Sequence, residues 1–237
     1  CMLTITRFND GTRYVTGNRC EKGEGKKNNE VHMPDLYEYK LHRLFDYEPL
    51  SEEEASRGRV AIPRVLNIYE DYPFWFTFFT KMGYRVVLSP MSSKELYEKG
   101  MDTISSDTAC YPAKLVHGHI KTLVEMGEKW IFYPCINYEQ IEDVHAQNHY
   151  NCPIVATYPE VIANNMNEIF EENDVEFTHD FLPYDDDKRL ADRLYDLLYR
   201  RGEKILRSQV KDAVKAARTE QLAFKKDVEA EGKRAVE

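Results

Sequence analysis

The sequence contains no long apolar segment. Its longest apolar run, Phe74–Phe79, is interrupted by Thr77 and is far shorter than the roughly 20 residues of a membrane-spanning helix. A surplus of basic residues is also missing, since the net charge is -9 and the pI is near 5.4. Binding to phosphates needs a basic face, which argues against nucleic acid as the main partner. We therefore expect neither a membrane nor a nucleic acid as partner.

Two further motifs are absent. The chain has neither a G-x-x-x-x-G-K-[ST] loop nor a G-x-G-x-x-G loop, so we expect no ATPase chemistry within it. It begins with Cys1 rather than Met, and no signal peptide precedes that residue, which predicts a piece of a longer protein. Its 237 residues, 42% of them hydrophobic, are enough for one α/β domain with a small appendage.

Cysteine is scarce, and no two cysteines form a C-x-x-C motif. The five are Cys1, Cys20, Cys110, Cys135 and Cys152. An odd number in a chain without secretory features argues against a disulfide framework and favours metal or redox use. The same features predict a cytoplasmic location.

The first part of the chain is predicted to hold small elements. Residues 1–30 read as a cysteine-bracketed β-hairpin, with Asn9-Asp10-Gly11 as its turn, followed by a Gly-rich polar linker. Residues 31–58 read as a helical connector. Within it, the capping pattern Ser51-Glu-Glu-Glu54 predicts the start of a short helix.

Residues 59–202 alternate between strand and helix patterns, which predicts a Rossmann-like parallel sheet with helices on both faces. Strands are expected at 60–66, 85–88, 130–133, 153–156 and 175–177, and helices at 72–82, 92–99, 113–126, 163–170 and 188–201. Residues 203–237 read as a long helix with an intermittent apolar face. We interpret that helix as leading to a missing domain or a partner, and the alternative is a solvated C-terminal helix.

Two cysteines lie where a parallel sheet binds ligands, at the carboxyl ends of its strands. Cys135 follows the strand at 130–133, and Cys110 precedes the helix that begins near Pro112. A helix N-terminus favours a thiolate, and converging thiolates suit a soft metal or an iron–sulfur cluster. The alternative is a pair of buried thiols that act as small apolar side chains.

The other cysteines carry less specific predictions. Cys1 and Cys20 at the base of the hairpin resemble half of a zinc knuckle, which needs four ligands. The alternatives for this pair are a local redox couple or inert thiols. Cys152 reads as a core residue at the start of a strand, with a thiol near the cluster as the alternative.

Three polar features have structural explanations as well as functional ones. His117 and His119 point to different faces of a helix, so packing or hydrogen bonding is the favoured interpretation over a shared metal. Lys114 either offsets anionic cluster charge or is a solvated surface residue. Asp185-Asp186-Asp187 reads as a helix N-cap rather than as a cation site.

Several longer motifs resemble a known family. They are Ile62-Pro-Arg-Val-Leu66, Gly83-Tyr-Arg-Val-Val-Leu-Ser-Pro90, Cys110-Tyr-Pro-Ala-Lys114, His117-Gly-His119 and Ile131-Phe-Tyr-Pro-Cys135. In this order they are similar to activase-related relatives of the 2-hydroxyacyl-CoA dehydratase and benzoyl-CoA reductase components. The likeness extends over nearly the whole chain.

The resemblance implies an anaerobic, ATP-driven electron-transfer system. In related dehydratase subunits three cysteines hold a [4Fe–4S] cluster, and the first two correspond to Cys110 and Cys135. The third would come from a missing later domain, so this chain would be an incomplete component of a dehydratase or reductase. The implied partners are an ATP-hydrolysing activase, on the same polypeptide or separate, and an acyl-CoA substrate.

Two other functions stay open from the residues. One is a non-catalytic α/β scaffold that docks partners through its long helix and holds a structural zinc at Cys1 and Cys20. The other is a CoA or nucleotide binder without a cluster, which the missing phosphate loop makes the weaker alternative.

Overall fold

The structure is a computed structural model that describes residues 3–17 and 34–236. Cys1 and Cys20, the predicted zinc pair, lie outside these residues. The predicted N-terminal hairpin is confirmed by strands β1 (Thr4–Arg7) and β2 (Arg13–Thr16), which pair antiparallel. Its turn contains Gly11 at a φ of 85°, a left-handed conformation that glycine adopts without strain.

The connector contains one helix, α1 (Leu36–Phe45), whose first N–H groups are capped by Asp35. The second predicted helix, at Ser51–Glu54, is wrong. Ser51 and Glu54 do form the reciprocal capping-box hydrogen bonds, but only a turn follows. The first strand of the central sheet begins at Arg59. Too few residues therefore separate Ser51 from that strand for a helix to form.

Four parallel strands form the central sheet in the order β4-β3-β5-β6. These strands are β3 (Arg59–Ile62), β4 (Arg85–Leu88), β5 (Trp130–Phe132) and β6 (Glu176–Thr178). The helices that follow are α2 (Ile68–Lys81), α3 (Lys94–Gly100), α4 (Tyr111–Glu125), α5 (Pro153–Asn165), α6 (Asn167–Glu172), α7 (Asp187–Arg200) and α8 (Arg207–Val236). The predicted α/β class is confirmed.

The two faces of the sheet are covered by different helices because side chains alternate along each strand. On β5, Trp130 and Phe132 pack with α1, α2, α7 and α8. Ile131, between them, packs into the opposite layer with α4, α5 and α6. Within the described residues, none of the helices is long and apolar enough to cross a bilayer.

The predicted strand at 153–156 is wrong, because these residues form the first turn of α5. Pro153 occupies the start of the helix, where its fixed φ and missing N–H are tolerated. The short β-branched run suggested a strand, but the buried positions Ala156, Pro159 and Ile162 follow helical spacing. The predicted helix at 163–170 is accordingly divided at Met166 between α5 and α6.

The predicted long C-terminal helix is α8, and its apolar stripe packs inside the described chain. Its buried positions are Val210, Ala213, Val214, Ala217, Gln221 and Phe224, and the apolar ones belong to the core shared with α2 and α7. The stripe expected to meet a missing domain or a partner therefore lies against this chain's own helices.

A side-chain amide fixes α8 to α2. Pro73 lies inside α2, where proline removes an N–H and disturbs the preceding turn. The Gln221 amide oxygen accepts a hydrogen bond from the Phe74 N–H at 3.2 Å, and its nitrogen donates to the Glu70 carbonyl at 2.7 Å. One buried side chain thus provides partners for two backbone groups of the turn that Pro73 interrupts.

Candidate functional site

The carboxyl edge of the sheet contains a topological switch point between β3 and β5. From β3 the chain crosses to β4 through α2 on one face, and from β4 it crosses to β5 through α4 on the other. Open parallel sheets bind ligands in the crevice that such a reversal creates. The segments that follow β3 and β5 therefore form the candidate site.

Cys135 is held rigidly at this edge, just beyond β5. It is 0% exposed, its N–H donates to the Asp180 carbonyl at 3.1 Å, and its carbonyl accepts from the Leu182 N–H at 3.0 Å. Burial raises the pKa of the Cys135 thiol to about 12, although a backbone N–H at Glu160 lowers it in part. Without a bound cation, this sulfur is a protonated thiol.

Cys110 lies at the N-cap of α4 and is exposed. Its backbone is extended, and Pro112 stands in the first turn. Within the described chain, the Cys110 side chain makes no capping hydrogen bond to α4. The sulfur is therefore free to bind a ligand at a helix end whose partial positive charge favours an anion.

The two cysteines belong to the same face of the sheet. Tyr133 packs into the layer of α4, α5 and α6. Cys135 lies two residues further along an extended segment, and residues two apart on such a segment lie on the same face of the sheet. Cys110 begins α4, a helix of that layer. The predicted placement of both residues at one carboxyl edge thus agrees with the topology.

Two buried tyrosines, Tyr133 and Tyr158, belong to the layer on the face of the sheet that carries the cysteines. Burial raises the pKa of Tyr158, and the nearby Cys110 raises it further. Burial also raises the pKa of Tyr133, with smaller contributions from Cys135 and then Tyr158. The Tyr133 hydroxyl is buried and has no hydrogen-bond partner among the residues described. An unused donor therefore lies beside the candidate sulfur ligands.

His117 and His119 are hydrogen-bonded residues of the interior. The ring of His117 lies 2.8 Å from the Thr103 hydroxyl and 3.1 Å from the Tyr158 hydroxyl. His119 contacts Ser89 Oγ at 2.7 Å and Ser92 Oγ at 2.9 Å. Burial lowers the pKa of each histidine to about 4. Both are neutral near pH 7, and the favoured interpretation of hydrogen bonding is confirmed.

Gly118 explains why these histidines flank a glycine. A Cβ atom at this position would lie 1.9 Å from the Leu96 carbonyl oxygen on α3. A Cβ atom at Gly100 would lie 2.4 Å from the Gly118 backbone nitrogen on α4. The His117-Gly-His119 motif therefore allows α3 and α4 to touch, in addition to any role of its histidines.

The remaining predicted residues have separate positions. Cys152 is exposed at the N-cap of α5, so its assignment to the core is wrong; it precedes a helix rather than a buried strand. Lys114 donates to the Asp107 carbonyl at 2.8 Å. The Asp185–Asp187 prediction is confirmed, because the Asp186 carboxylate accepts from the N–H groups of Lys188 and Arg189.

Sequence reasoning missed a buried carboxyl group on the other face of the sheet. Asp71 on α2 is 2% exposed and accepts a 3.3 Å hydrogen bond from Asn67 Nδ2. Burial raises the pKa of Asp71 well above its ordinary value, and the Glu139 carboxyl raises it further. The available signal was an acidic residue directly before the aromatic run of α2.

Metal ligands are few at the edge. Across residues 3–17 and 34–236, no group of three or more histidine, cysteine and acidic side chains is placed to hold a metal ion. Cys110 and Cys135 supply soft sulfur donors, which suit iron–sulfur chemistry. They stand at the positions of two of the three cysteines that the resemblance implies.

A comparison with family models identifies the chain. Residues 59–237 match the model described as CoA enzyme activase uncharacterised domain (DUF2229). The chain belongs to this family. The match confirms the likeness to activase-related relatives of the 2-hydroxyacyl-CoA dehydratase components. No curated protein and no solved structure matches the chain significantly.

The matched region of this CoA enzyme activase domain contains the whole central sheet and both cysteines of its carboxyl edge. It begins at Arg59, the first residue of β3, and continues through α8. The helix α8 is therefore part of the family domain, in agreement with its packing on α2.

Proposed function

We propose that this domain holds an iron–sulfur cluster at the carboxyl edge of its sheet, with Cys110 and Cys135 as ligands. The cluster, when bound, accepts and passes on a single low-potential electron. The observation that supports the proposal is the position of the two cysteines at the carboxyl edge, on the face of the sheet whose layer contains Tyr133 and Tyr158.

The residues fit such a group in part. Thiolates are the ligands of iron–sulfur clusters, and Cys110 lies at a helix end that favours the anionic form. Cys135 is fixed by two backbone hydrogen bonds, so its sulfur needs little ordering. Its raised pKa means that iron must displace the thiol proton, which makes metal loading dependent on pH. A further cysteine from elsewhere in the protein would complete the set.

Neighbouring side chains prepare the site without acting as ligands. The unpartnered Tyr133 hydroxyl can donate to a sulfur, and hydrogen bonds to sulfur tune the potential of a cluster. Tyr158 is held by neutral His117, which fixes the side of the site next to Cys110. The buried tyrosines exclude water from the Cys135 side.

The proposed partners follow from the family. An ATP-hydrolysing activase, on the same polypeptide or separate, supplies the electron, and an acyl-CoA is the substrate of the complete system. We accordingly propose that the domain is part of a 2-hydroxyacyl-CoA dehydratase-like or reductase-like component, and the match with a CoA enzyme activase domain supports this proposal.

Anaerobic reconstitution with iron and sulfide tests the proposal. The parent chain should become brown and bind iron and sulfide, whereas Cys110→Ser and Cys135→Ser should each lower bound iron at least about tenfold. Cys152→Ser is the matched control, because Cys152 is also an exposed helix N-cap, and it should bind as much iron as the parent.

Two results would contradict the proposal. One is undiminished iron binding by both the Cys110 and the Cys135 variants. The other is protein that contains zinc and no iron, with the zinc lost in Cys20→Ser and retained in a Cys110/Cys135 double variant. That second result would support the structural-zinc scaffold instead.

A further inference from the structure

Arg64 occupies the switch point of the sheet. It follows β3 through Pro63, at the place where α2 leaves toward one face and α4 lies on the other. Its backbone N–H donates to Ser89 Oγ at 2.8 Å, which fixes the start of the side chain between the ends of β3 and β4. An arginine is thus held in the crevice where doubly wound sheets bind ligands.

The charge of this arginine is not balanced. Among the described residues, no carboxylate oxygen lies within 4 Å of the Arg64 guanidinium. Its central carbon lies 4.4 Å from the Phe45 ring centroid, and one terminal nitrogen contacts Met91 Sδ. The Nε atom is buried and finds no hydrogen-bond partner in the described chain. Burying a cation and an N–H donor costs folding free energy unless an anion or a hydrogen-bond acceptor pairs with them.

Nearby acids do not fill this role. Asp46 is the one carboxylate whose field raises the pKa of Arg64, against the larger opposing effect of burial. The Asp46 carboxylate is already bonded to His42 Nδ1 at 2.6 Å. The other groups acting on the Arg64 pKa are the side chains of Tyr69 and Tyr72, which are not carboxylates.

A small cavity adjoins Arg64. It has a volume of about 250 Å³, and Arg64, Tyr69, Ser92, Pro112 and Leu115 line it. Pro112 and Leu115 belong to the first turns of α4, whose first turn carries no acidic side chain. The partial positive charge of that helix end thus adds to the charge of Arg64.

The backbone at the cavity is strained. Leu66, which also lines it, has a φ of 43°, in the left-handed region that a leucine rarely adopts. Such strain persists where the surrounding structure imposes it, and it is concentrated at functional sites. The strained turn leads directly from Arg64 into α2.

We propose that this cleft binds the anionic head of a ligand, a phosphate or a carboxylate group, through the Arg64 guanidinium. The cavity is smaller than the roughly 300–1,000 Å³ of a site that encloses a whole cofactor. It therefore takes the charged end, while the rest of the ligand lies outside. The assignment does not depend on the iron–sulfur proposal, since it uses neither cysteine.

The test measures binding to the full chain, without iron, by calorimetry and thermal shift. The probes are inorganic phosphate, acetate, adenosine 3′,5′-bisphosphate and coenzyme A. Tighter binding of the phosphorylated probes would identify phosphate as the recognised group, and tighter binding of acetate would identify carboxylate. Affinity should fall as salt is raised, because the pairing is ionic.

Three variants make the test specific. Arg64→Met keeps the apolar stem and should weaken binding of the preferred probe at least tenfold. Arg64→Lys keeps the charge but loses the planar fork, so we expect an intermediate loss of threefold or more. Arg189→Met removes an exposed arginine of α7 that does not line the cavity, and it should bind like the parent.

The proposal is overturned if no probe binds the parent at millimolar concentration. It is also overturned if Arg64→Met binds within twofold of the parent, or if Arg189→Met weakens binding as much as Arg64→Met does. Should Arg64→Met fail to fold, Arg64→Lys decides, and unchanged affinity in that variant would contradict the assignment.

Discussion

Two hydroxyl groups hold the His119 imidazole in the interior, Ser89 Oγ on one side and Ser92 Oγ on the other. Burial and, to a smaller extent, the positive charge of Arg64 lower the pKa of this ring from 6.5 to about 4. A depressed histidine pKa stabilises the fold above pH 6.5, and this stability is lost as the pH falls toward 4. The same shift applies to His117.

We therefore predict that His119→Gln reduces the acid sensitivity of the fold. The shift corresponds to about 3 kcal/mol of unfolding free energy, lost between pH 6.5 and 4. Denaturant unfolding at stepped pH, with variant and parent compared at each pH, isolates this contribution from that of the carboxyl groups. His145→Gln, at an exposed histidine, is the control and should match the parent. Equal pH dependence in the parent and His119→Gln would show that the ring is not protonated on unfolding.

At the residue scale, the positions of the candidate ligands were easier to predict than the contacts of buried polar groups. Cys110 and Cys135 could be placed at the carboxyl edge because each stands next to a clear helix or strand boundary. Arg64 and Tyr133 could not be singled out, because an unpaired guanidinium or hydroxyl becomes visible only when distant segments are assembled. Cys152 was misplaced together with the helix that it begins.

At the element scale, α8 is joined to α2 by more than apolar contact. Gln221 is 1% exposed and provides partners for two backbone groups in the turn that Pro73 interrupts. Leaving a buried backbone group without a partner costs about 1–3 kcal/mol. The proline in α2 and the glutamine in α8 thus form one structural unit, although about 150 residues separate them in the chain.

We predict that Gln221→Ala lowers the free energy of unfolding by about 2–5 kcal/mol, since two backbone groups lose their partner. Chemical denaturation measures this change. Thr219→Ala is the control on the same helix, because Thr219 bonds only to the Lys215 carbonyl of α8 at an exposed position. It should change stability by less than about 0.5 kcal/mol. A loss below 1 kcal/mol in Gln221→Ala would mean that the α2–α8 contact is purely apolar.

Element boundaries show where sequence patterns are sufficient. The strand β4 was predicted with its observed bounds, because its β-branched run lies between a helix-ending glycine and a proline. The first turn of α5 was mistaken for a strand because Ile154 and Val155 are common in strands, and because proline begins helices as well as strands. The Gln221 contact gave no local signal at all.

At the scale of the whole molecule, the two faces of the sheet differ in the helices and side chains that cover them. One face is an aromatic core that α2, α7 and α8 complete. The other carries α4 and α5, and its carboxyl edge holds Cys135 and the N-cap Cys110. The Arg64 cleft lies at the reversal between the two crossovers. The aromatic core thus lies on one face of the sheet, whereas the two cysteines and Arg64 lie at its carboxyl edge.

The alternation of elements predicted this architecture, and the motifs predicted the family, over the region that the family model matches. The completeness of the site could not be predicted, since a cluster needs ligands whose positions depend on the whole assembly. Among the described residues, Cys110 and Cys135 place two sulfurs on one face of the sheet.

The most direct test of the central claim is to locate iron in crystals of the anaerobically reconstituted protein by anomalous scattering at the iron edge. We predict iron density bonded to Cys110 Sγ and Cys135 Sγ, next to the Tyr133 hydroxyl. Iron bound at other residues, with the Cys110 and Cys135 thiols free, would contradict the account.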